Sequence, residues 1–281
     1  MENSNKYLSH IKPTWCPGCG NFGIFTSLKN AFKKLDLDPS ELAVVTDVGC
    51  SGNTADFLKT YVFHALHGRA LPPAAGIKLA NHKLKVVAII GDGGCYGEGL
   101  GHYINLMRGN HDITVLVHDN SLYSLTTGQT SPTTPKGIKT KSSPNGVIEE
   151  PLNPLALALA NSASFCARTY ALDIKDQTNT IIKAISHSGF SLIDILQPCI
   201  TFNKTQTIKW YQERVYKLKN RFKNKEEAFK ETLRTDKLGT GIFWQEKRPA
   251  YHQECQTLKN EALVAKNIKN INLGELIDKL V

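Results

Sequence analysis

Hydrophobic and polar positions follow two alternating periods along most of the chain. Residues 85–90 and 113–117 are short apolar runs rich in β-branched side chains, as in central strands that are covered by helices on both faces. Between residues 22 and 35 apolar side chains recur every three or four positions, which predicts an amphipathic helix. The alternation predicts an α/β fold with a parallel sheet flanked by helices.

The same reasoning predicts the other elements of the sheet. Strands are expected at residues 42–45, 165–170 and 191–196, and helices at residues 54–66, 74–80, 97–108, 154–160 and 176–187. Residues 121–150 are rich in Thr, Ser, Gly, Pro and Lys and have little periodicity. Unstructured stretches of that length are usually functional or disordered, and we expect a functional loop.

The last part of the chain has a different pattern. Apolar side chains at helical spacing over residues 205–233 predict an amphipathic helix that is broken or bent in its Lys-rich middle, and a short helix is expected at residues 273–280. We therefore expect an α/β domain over residues 1–203 and a mostly helical C-terminal extension over residues 204–281.

Composition and charge narrow the class of protein. The 281 residues contain no apolar stretch of the roughly 20 residues that a membrane-spanning helix needs, and residues 1–10 are polar. We therefore expect a cytoplasmic protein without a membrane partner. Much of the net charge of +9 lies between Lys204 and Lys237. No aromatic–basic motif or zinc-finger spacing supports nucleic-acid binding, so a solvated helix or a docking face for an acidic protein explains this charge better.

Four of the seven cysteines stand out, Cys16, Cys19, Cys50 and Cys199, each of which lies in a predicted turn beside Gly or Pro. Turns of this kind expose backbone amides to sulfur, as a metal centre held by thiolates requires. Cys16 and Cys19 have the spacing of a zinc site, but a second close pair is missing. A [4Fe–4S] cluster tolerates such dispersed ligands, so we expect the cluster, with zinc as the alternative. The other three are expected to be small, mostly buried thiols: Cys95, Cys166 and Cys255.

A second signature indicates a bound diphosphate. Gly91-Asp92-Gly93 follows the predicted strand at residues 85–90, and Asn120 closely follows the strand at residues 113–117. Parallel strands bind ligands beyond their carboxyl ends, where glycines let the backbone approach a phosphate. Asp92, Asn120 and the carbonyl of Leu122 would supply the oxygen ligands that Mg²⁺ prefers. The glycine spacing differs from the dinucleotide fingerprint, and we expect thiamine diphosphate with Mg²⁺.

In combination these residues resemble a known family, the β subunits of 2-oxoacid:ferredoxin oxidoreductases, which includes the thiamine-dependent pyruvate and 2-oxoglutarate enzymes. The similarity covers roughly residues 12–218. It lies in the sequences WCPGCG (15–20), GCSG (49–52), HALHGRA (64–70), GIKLAN (76–81), GDG (91–93), GQTSPT (128–133) and PCITFN (198–203). The resemblance implies a thiamine diphosphate-binding fold.

The resemblance also implies roles for individual residues. It assigns Mg²⁺ to Asp92, Asn120 and Leu122, and catalytic roles to Ser51 and His67. It assigns the [4Fe–4S] cluster to four cysteines: Cys16, Cys19, Cys50 and Cys199. The residues expected around the cofactor are Cys50, Ser51, His67, Gly91, Asp92, Gly93, Gly94, Asn120, Leu122, Leu125 and Thr126.

Two positions depart from the pattern of many relatives, which carry Asp where this chain has Gly94 and Lys where it has Thr127. The first departure removes a charge beside the metal without removing a ligand. The second removes a cation that would pair with an anionic group of the substrate or of coenzyme A. The preferred 2-oxoacid depends on a few pocket residues, for which Asn53, Leu125 and Thr127 are the local candidates.

The implied reaction is the coenzyme A-dependent oxidative decarboxylation of a 2-oxoacid to an acyl-coenzyme A and CO₂, with electrons passing through the cluster to ferredoxin. Because one α/β core cannot hold both halves of a thiamine site, an α subunit, or a fused subunit that contains it, is the expected partner. Two other functions remain open. One is a subunit of a non-oxidative thiamine-dependent decarboxylase with structural zinc, and the other is a zinc-stabilised nucleotide-binding protein without catalysis.

Overall fold

An eight-stranded sheet forms the centre of the structure, a computed structural model that describes residues 6–219, 221–267 and 273–278. Its strands are β1 (Leu42–Thr46), β2 (Tyr61–His64), β3 (Lys85–Gly91), β4 (Thr114–Asp119), β7 (Phe165–Tyr170), β8 (Ser191–Leu196), β9 (Val215–Lys217) and β10 (Leu238–Gln245), and a separate hairpin pairs β5 (Leu122–Tyr123) with β6 (Gln129–Thr130). The order across the sheet is β2-β1-β3-β4-β8-β7-β10-β9. The first six of these strands are parallel, and β10 runs antiparallel to β7.

Helices cover both faces of this sheet. They are α1 (Asn21–Lys34), α2 (Thr54–Phe57), α3 (Leu71–Ala80), α4 (Leu100–Gly109), α5 (Pro154–Ala160), α6 (Ile174–Ser186), α7 (Ile208–Arg214), α8 (Lys225–Thr232), α9 (Tyr251–Glu254) and α10 (Leu273–Asp278). One wide helical turn, Gly94–Glu98, precedes α4. The fold class predicted from the sequence, a parallel sheet between helices, is confirmed.

The hydrophobic core has two layers because the side chains of each strand alternate between the two faces. In β3, Val87 and Ile89 pack with α1 and α6, whereas Val86, Ala88 and Ile90 pack with α3, α4 and α5. All five of these side chains are buried. A central parallel strand buries both faces in this way, which is why the sequence of β3 is apolar without alternation.

One predicted helix is wrong. The expected helix at residues 54–66 ends at Phe57 in the structure, and Tyr61–His64 forms the edge strand β2, paired in parallel with β1. The aromatic and β-branched residues Tyr61, Val62 and Phe63 favour a strand. Their apolar character alone does not distinguish such a strand from the continuation of a helical face.

The region after residue 203 is more than a helical extension. The helix expected at residues 205–233 is broken in its middle, as one of the two predicted forms allowed, but strand β9 between α7 and α8 was not predicted. Strand β10 then returns to the main sheet beside β7, which extends the sheet past its expected end near residue 200. The last predicted helix is present as α10, while residues 279 and 280 lie outside the described residues.

No helix in the described ranges is long and apolar enough to cross a membrane.

Strand β10 should contribute to the stability of the whole sheet. Phe243 is buried and its ring stacks on Phe222 at 5.9 Å. We expect Phe243→Ala to lower the free energy of unfolding by about 3–5 kcal/mol, because it removes a buried aromatic side chain and leaves a cavity. Urea titration followed by circular dichroism measures this loss. The control Leu233→Ala changes a side chain that is 55% exposed and should cost less than about 0.5 kcal/mol; equal losses would mean that β10 is not part of the cooperative core.

Candidate active site at the carboxyl edge of the sheet

The carboxyl ends of β1, β3 and β4 lie side by side because the three strands are parallel neighbours. The chain leaves β1 for the edge strand β2 and returns to β3 on the other side of β1, so the strand order reverses between β1 and β3. Open α/β sheets bind ligands in the crevice at such a point. The loops that begin with Asp47, Asp92 and Asn120 follow these three strand ends.

These loops enclose a narrow cleft of about 40 Å³, called the cofactor cleft below. All eleven residues that the sequence predicted around the cofactor line it: Cys50, Ser51, His67, Gly91, Asp92, Gly93, Gly94, Asn120, Leu122, Leu125 and Thr126. Four further lining residues were not predicted, namely Val48, Gly49, Tyr123 and Ser124. This cleft is smaller than the roughly 300–1,000 Å³ of sites that hold a whole small ligand.

The oxygen atoms expected to bind Mg²⁺ lie in this cleft. Asp92 is almost completely buried, and its Oδ2 accepts a hydrogen bond from the hydroxyl of Thr133 at 2.8 Å. Asn120 Oδ1 accepts a hydrogen bond from Ser124 Oγ at 2.7 Å, and Leu122 begins the adjoining hairpin. A carboxylate, an amide oxygen and a backbone carbonyl suit a hard cation, so these residues fit the predicted ion.

Two buried acids share one hydroxyl group. Thr133 Oγ1 lies 2.8 Å from Asp92 Oδ2 and 2.8 Å from Asp119 Oδ1, but a hydroxyl can donate to only one of them at a time. Burial raises the pKa of Asp92 and of Asp119, and for Asp119 the nearby carboxyl groups of Asp194 and Asp92 add to the rise. A cation bound at Asp92 would offset this repulsion between like charges.

Glycine is required at two positions beside Asp92. A Cβ atom at Gly93 would lie 2.3 Å from the ring of Tyr123, and a Cβ atom at Gly94 would lie 1.9 Å from Asp47 Oδ2. The second contact gives a physical reason for the departure at Gly94. In this chain the carboxyl group of Asp47 occupies the space that a side chain at position 94 would need.

Sequence reasoning missed Asp47, although an acidic residue directly after a strand is the same signal that identified Asp92. Asp47 is fully buried, the backbone N–H of Gly68 donates to its Oδ2 at 3.4 Å, and its Oδ1 has no partner in the described residues. Burial raises the pKa of Asp47 to about 8, against the opposing effect of the Gly68 and Gly91 N–H groups. Since Gly68 follows His67, this hydrogen bond ties the loop that carries His67 to the loop after β1, which begins with Asp47.

The four cysteines that the sequence singled out line a second cavity, of about 150 Å³, called the cysteine cavity below. They come from three separate places: the turn before α1 for Cys16 and Cys19, the loop after β1 for Cys50, and the loop after β8 for Cys199. In the described ranges, no three His, Cys, Asp or Glu side chains converge closely enough to hold one metal ion. The thiols surround a space, and cavities of about 150 Å³ can hold a group as large as benzene.

Two side chains hold the turn of Cys16 and Cys19 against the other loops. The indole N–H of Trp15 donates to the carbonyl of Cys50 at 2.6 Å, and Gln197 Nε2 donates to Cys19 Sγ at 3.6 Å. The ring of Trp15 is buried in edge-to-face contact with Phe22, Phe25 and Phe57. These contacts position thiols that are distant in sequence. No local pattern in the sequence predicts the contacts.

The thiols influence one another electrostatically. Burial raises the pKa of Cys50 to about 11, and the neighbouring sulfurs of Cys19, Cys199 and Cys16 contribute to the rise. Burial also raises the pKa of Cys19, with a further contribution from Cys199. Without a positive centre nearby, the thiols of Cys19 and Cys50 hold their protons. A metal that binds these two sulfurs must therefore displace the protons.

The two cavities share a wall. Cys50, Asn120, Ser124 and Leu125 line both the cofactor cleft and the cysteine cavity. Asn53, one of the candidates for substrate recognition, lines the cysteine cavity. Cys95 and Cys166 are buried in the core as predicted, whereas Cys255 is partly exposed.

The matches to protein families agree with this geometry. Residues 47–195 match the family described as thiamine pyrophosphate enzyme, C-terminal TPP binding domain. Residues 199–260 match the family described as the C terminal of the pyruvate ferredoxin oxidoreductase beta subunit. The chain therefore contains a thiamine diphosphate-binding domain of this family.

Individual relatives narrow this class. The chain is 45% identical to subunit beta of 2-oxoacid:ferredoxin oxidoreductase 2 from Aeropyrum pernix, over 90% of this chain and 86% of the relative. It is 34% identical to the 2-oxoglutarate synthase subunit KorB of Archaeoglobus fulgidus, over 96% of this chain and 99% of the relative. A solved structure is also similar to this chain: the 2-oxoglutarate:ferredoxin oxidoreductase from Magnetococcus marinus with 2-oxoglutarate, coenzyme A and succinyl-CoA bound. The two superpose with a TM-score of 0.92 at 31% identity, over 100% of this chain and 97% of the chain in that structure.

The chain belongs to the family of 2-oxoacid:ferredoxin oxidoreductase β subunits. The resemblance and the thiamine diphosphate-binding fold inferred from the sequence are thereby confirmed.

The buried carboxyl group of Asp47 should make the stability of the chain depend on pH. Its pKa of about 8 in the folded chain lies above the value of about 4 in an unfolded chain, so unfolding releases a proton between these pH values. The raised pKa of Asp47 therefore adds to the free energy of unfolding. This addition is complete below about pH 4 and is lost as the pH rises towards 8. When the pH is raised from 5 to 7, we expect the free energy of unfolding of wild type to fall by about 2–3 kcal/mol more than that of Asp47→Asn.

Urea titrations at the two pH values measure this difference, with Asp56→Asn as the control because Asp56 is exposed. An unchanged pH dependence in Asp47→Asn would mean that Asp47 does not titrate in this range.

Proposed function

We propose that this chain is the β subunit of an enzyme that oxidatively decarboxylates a 2-oxoacid, with thiamine diphosphate and Mg²⁺ in the cofactor cleft and a [4Fe–4S] cluster in the cysteine cavity. The observation that carries the proposal is the shared wall: four cysteines from three loops surround one cavity, and Cys50 and Asn120 also line the adjoining cleft. Neighbouring sites allow electrons to leave the reaction centre directly for the cluster.

The residues of the cofactor cleft fit the diphosphate end of the cofactor. Asp92, Asn120 and the carbonyl of Leu122 would hold Mg²⁺, and Gly91, Gly93 and Gly94 let the backbone approach the phosphates. Thiamine diphosphate, when bound, supplies the electron sink that decarboxylation of a 2-oxoacid requires. Ser51, buried beside Gly91, and His67, exposed at the mouth, are the side chains that would hold or move protons there.

Cys16, Cys19, Cys50 and Cys199 would hold the cluster, which supplies one-electron chemistry between the reaction centre and ferredoxin. The chain's own contribution is geometric. Trp15 and Gln197 fix the turn of Cys16 and Cys19 against Cys50 and the end of β8. The product acyl group would leave on coenzyme A, and the electrons on ferredoxin.

A partner subunit should complete the site. The cofactor cleft is far smaller than a thiamine diphosphate molecule needs, and β2 at the adjacent edge of the sheet exposes the large apolar side chains of Tyr61, Phe63 and, just beyond it, Leu66. Exposed apolar surface next to an incomplete site is typical of a subunit interface. The expected partner is an α subunit, or a fused subunit that contains it, which supplies the pyrimidine-binding half.

The substrate class is a 2-oxoacid. Relatives named as general 2-oxoacid enzymes are 45% and 48% identical to this chain, and relatives named as 2-oxoglutarate enzymes are 34% and 37% identical. Since the names differ between these relatives, we extend only the class of substrate to this chain. Asn53, Leu125 and Thr127 remain the residues of this chain that we expect to influence the choice of acid.

The cluster can be tested with Cys16→Ala in the complex with the α subunit, purified without oxygen. We expect wild type to be brown, to contain iron, and to reduce ferredoxin when a 2-oxoacid and coenzyme A are present. The variant should lose most of its iron and its ferredoxin reduction. It should still bind thiamine diphosphate, because Cys16 does not line the cofactor cleft.

The control Cys255→Ala removes a partly exposed thiol outside the cysteine cavity and should retain iron and activity. A colourless wild type that contains zinc, or undiminished ferredoxin reduction by Cys16→Ala, would contradict the proposed role of the cluster.

The metal site can be tested with Asp92→Asn in the same complex. Removing a charged ligand should weaken Mg²⁺-dependent binding of thiamine diphosphate by at least about tenfold. Isothermal calorimetry measures the affinity with Mg²⁺ and after chelation. Chelation should weaken binding strongly in wild type and in the control Asp56→Asn, and much less in Asp92→Asn. A variant that binds the cofactor with wild-type affinity and full Mg²⁺ dependence would exclude Asp92 as the ligand.

A further inference from the structure

The carboxyl group of Asp47 lies where three segments of the chain meet beside the cofactor cleft. It is fully buried and lies against Gly94, which lines the cleft, whereas Asp47 itself does not line it. The backbone N–H of Gly68 donates to its Oδ2 at 3.4 Å, and the N–H of Gly91 also interacts with this carboxyl group. One side chain therefore joins the segments at the carboxyl ends of β1, β2 and β3.

Around this carboxyl group the backbone is packed through glycines. A Cβ atom at Gly68 would lie 2.5 Å from the backbone nitrogen of Gly99, and a Cβ atom at Gly99 would lie 2.6 Å from the carbonyl oxygen of Gly94. The loop that carries Gly68 therefore lies directly on the wide helical turn that begins at Gly94. Since these glycines have no side chains to hold the two segments together, Asp47 supplies a polar side chain at their contact.

Position 94 could deliver a carboxyl group to the same place. A Cβ atom there would lie 1.9 Å from Asp47 Oδ2 and 3.1 Å from Asp47 Cγ. The next nearest atom is the backbone nitrogen of Gly68 at 3.3 Å, a close contact that a shift of a few tenths of an ångström relieves. Gly94 begins a helical turn, a backbone conformation that residues with side chains readily adopt. The side chain of Asp47 is thus the main obstacle to a side chain at position 94.

We infer that Asp47 is a positioning residue of the cofactor cleft, and that its carboxyl group can be replaced by one delivered from position 94. The carboxyl group accepts from the loop of His67 and Gly68 and so keeps His67 and the backbone of Gly94 in their places in the lining of the cleft. Without an acceptor, buried N–H groups would lose their partner, which is costly in a folded protein. This inference rests on the proposed function, because it concerns the cleft in which thiamine diphosphate would bind.

Exchanging the two residues tests the inference, with Asp47→Gly, Gly94→Asp and the double variant prepared in the complex with the α subunit. We expect each single variant to raise the dissociation constant of thiamine diphosphate, measured with Mg²⁺ by calorimetry, about tenfold. Asp47→Gly removes the acceptor, whereas Gly94→Asp forces two carboxyl groups into one place. The double variant returns a single carboxyl group to that place and should bind within about threefold of wild type.

Amide hydrogen exchange reports the contact directly and without cofactor. Mass spectrometry follows the peptide that contains His67 and Gly68. The protection of this peptide should fall about tenfold or more in Asp47→Gly and return in the double variant, because the N–H of Gly68 regains its acceptor. Asp47→Asn keeps an acceptor oxygen in a side chain of the same shape, so it should bind thiamine diphosphate nearly as well as wild type.

The matched controls are Asp56→Gly, which changes an exposed aspartate, and Gly101→Asp, at which a Cβ atom would meet nothing within 4 Å. Neither control should change the affinity for thiamine diphosphate. If a single variant fails to fold, the double variant still decides the matter, because the inference requires it to fold and to bind the cofactor.

Three results would overturn the inference: wild-type affinity in Asp47→Gly, a double variant that does not fold or binds no better than the single variants, or unchanged amide exchange in Asp47→Gly. A wild-type complex that binds no thiamine diphosphate would instead refute the proposed function. The amide exchange of the single and double variants would then decide whether Asp47 holds the loop of His67.

Discussion

The parallel hydrogen bonding of β1, β3, β4 and β8 is the constraint on which the rest of the structure depends. These four strands are neighbours, so their carboxyl ends lie along one edge of the sheet. The loops that follow them carry Cys50, Asp92, Asn120 and Cys199. A slip of one residue in any strand would turn its side chains to the opposite face and move the loop that follows. The buried, two-sided packing of the strands therefore also fixes the spacing of the site.

The site combines groups that are unfavourable without a ligand. Asp47, Asp92 and Asp119 are buried acids with raised pKa values, and the pKa values of the thiols of Cys19 and Cys50 are raised as well. Positive centres at Asp92 and between the cysteines would relieve much of this cost. Ligands that bind only the folded state stabilise it, so filling both sites should also strengthen the fold. The same residues would then contribute both to stability and to the proposed binding of metal.

Charge and exposure divide the surface around the site into parts with different roles. The exposed apolar side chains of β2 lie at the edge next to the cofactor cleft, as expected where a second subunit would complete it. A further cavity that includes Lys139, Lys141 and Lys204 in its lining lies beyond the hairpin. The hairpin contributes Leu122 and Tyr123 to the cofactor cleft and Thr127 to this further cavity. One short loop thus forms part of the walls of both spaces.

The sequence by itself determined the α/β class, the central strands, eleven residues of the cofactor cleft and the four cysteines of the cysteine cavity. Buried parallel strands are continuously apolar, and Gly, Cys and Asp at strand ends are local signals. The sequence did not reveal strand β2 or the return of β10, whose apolar residues have no period that separates strand from helix. Only the tertiary structure brought Asp47 against Gly94, Trp15 against Cys50, and Lys141 against Thr127. Contacts between residues far apart in the chain depend on how the strands are ordered and on where the loops fold, and no local pattern encodes that order.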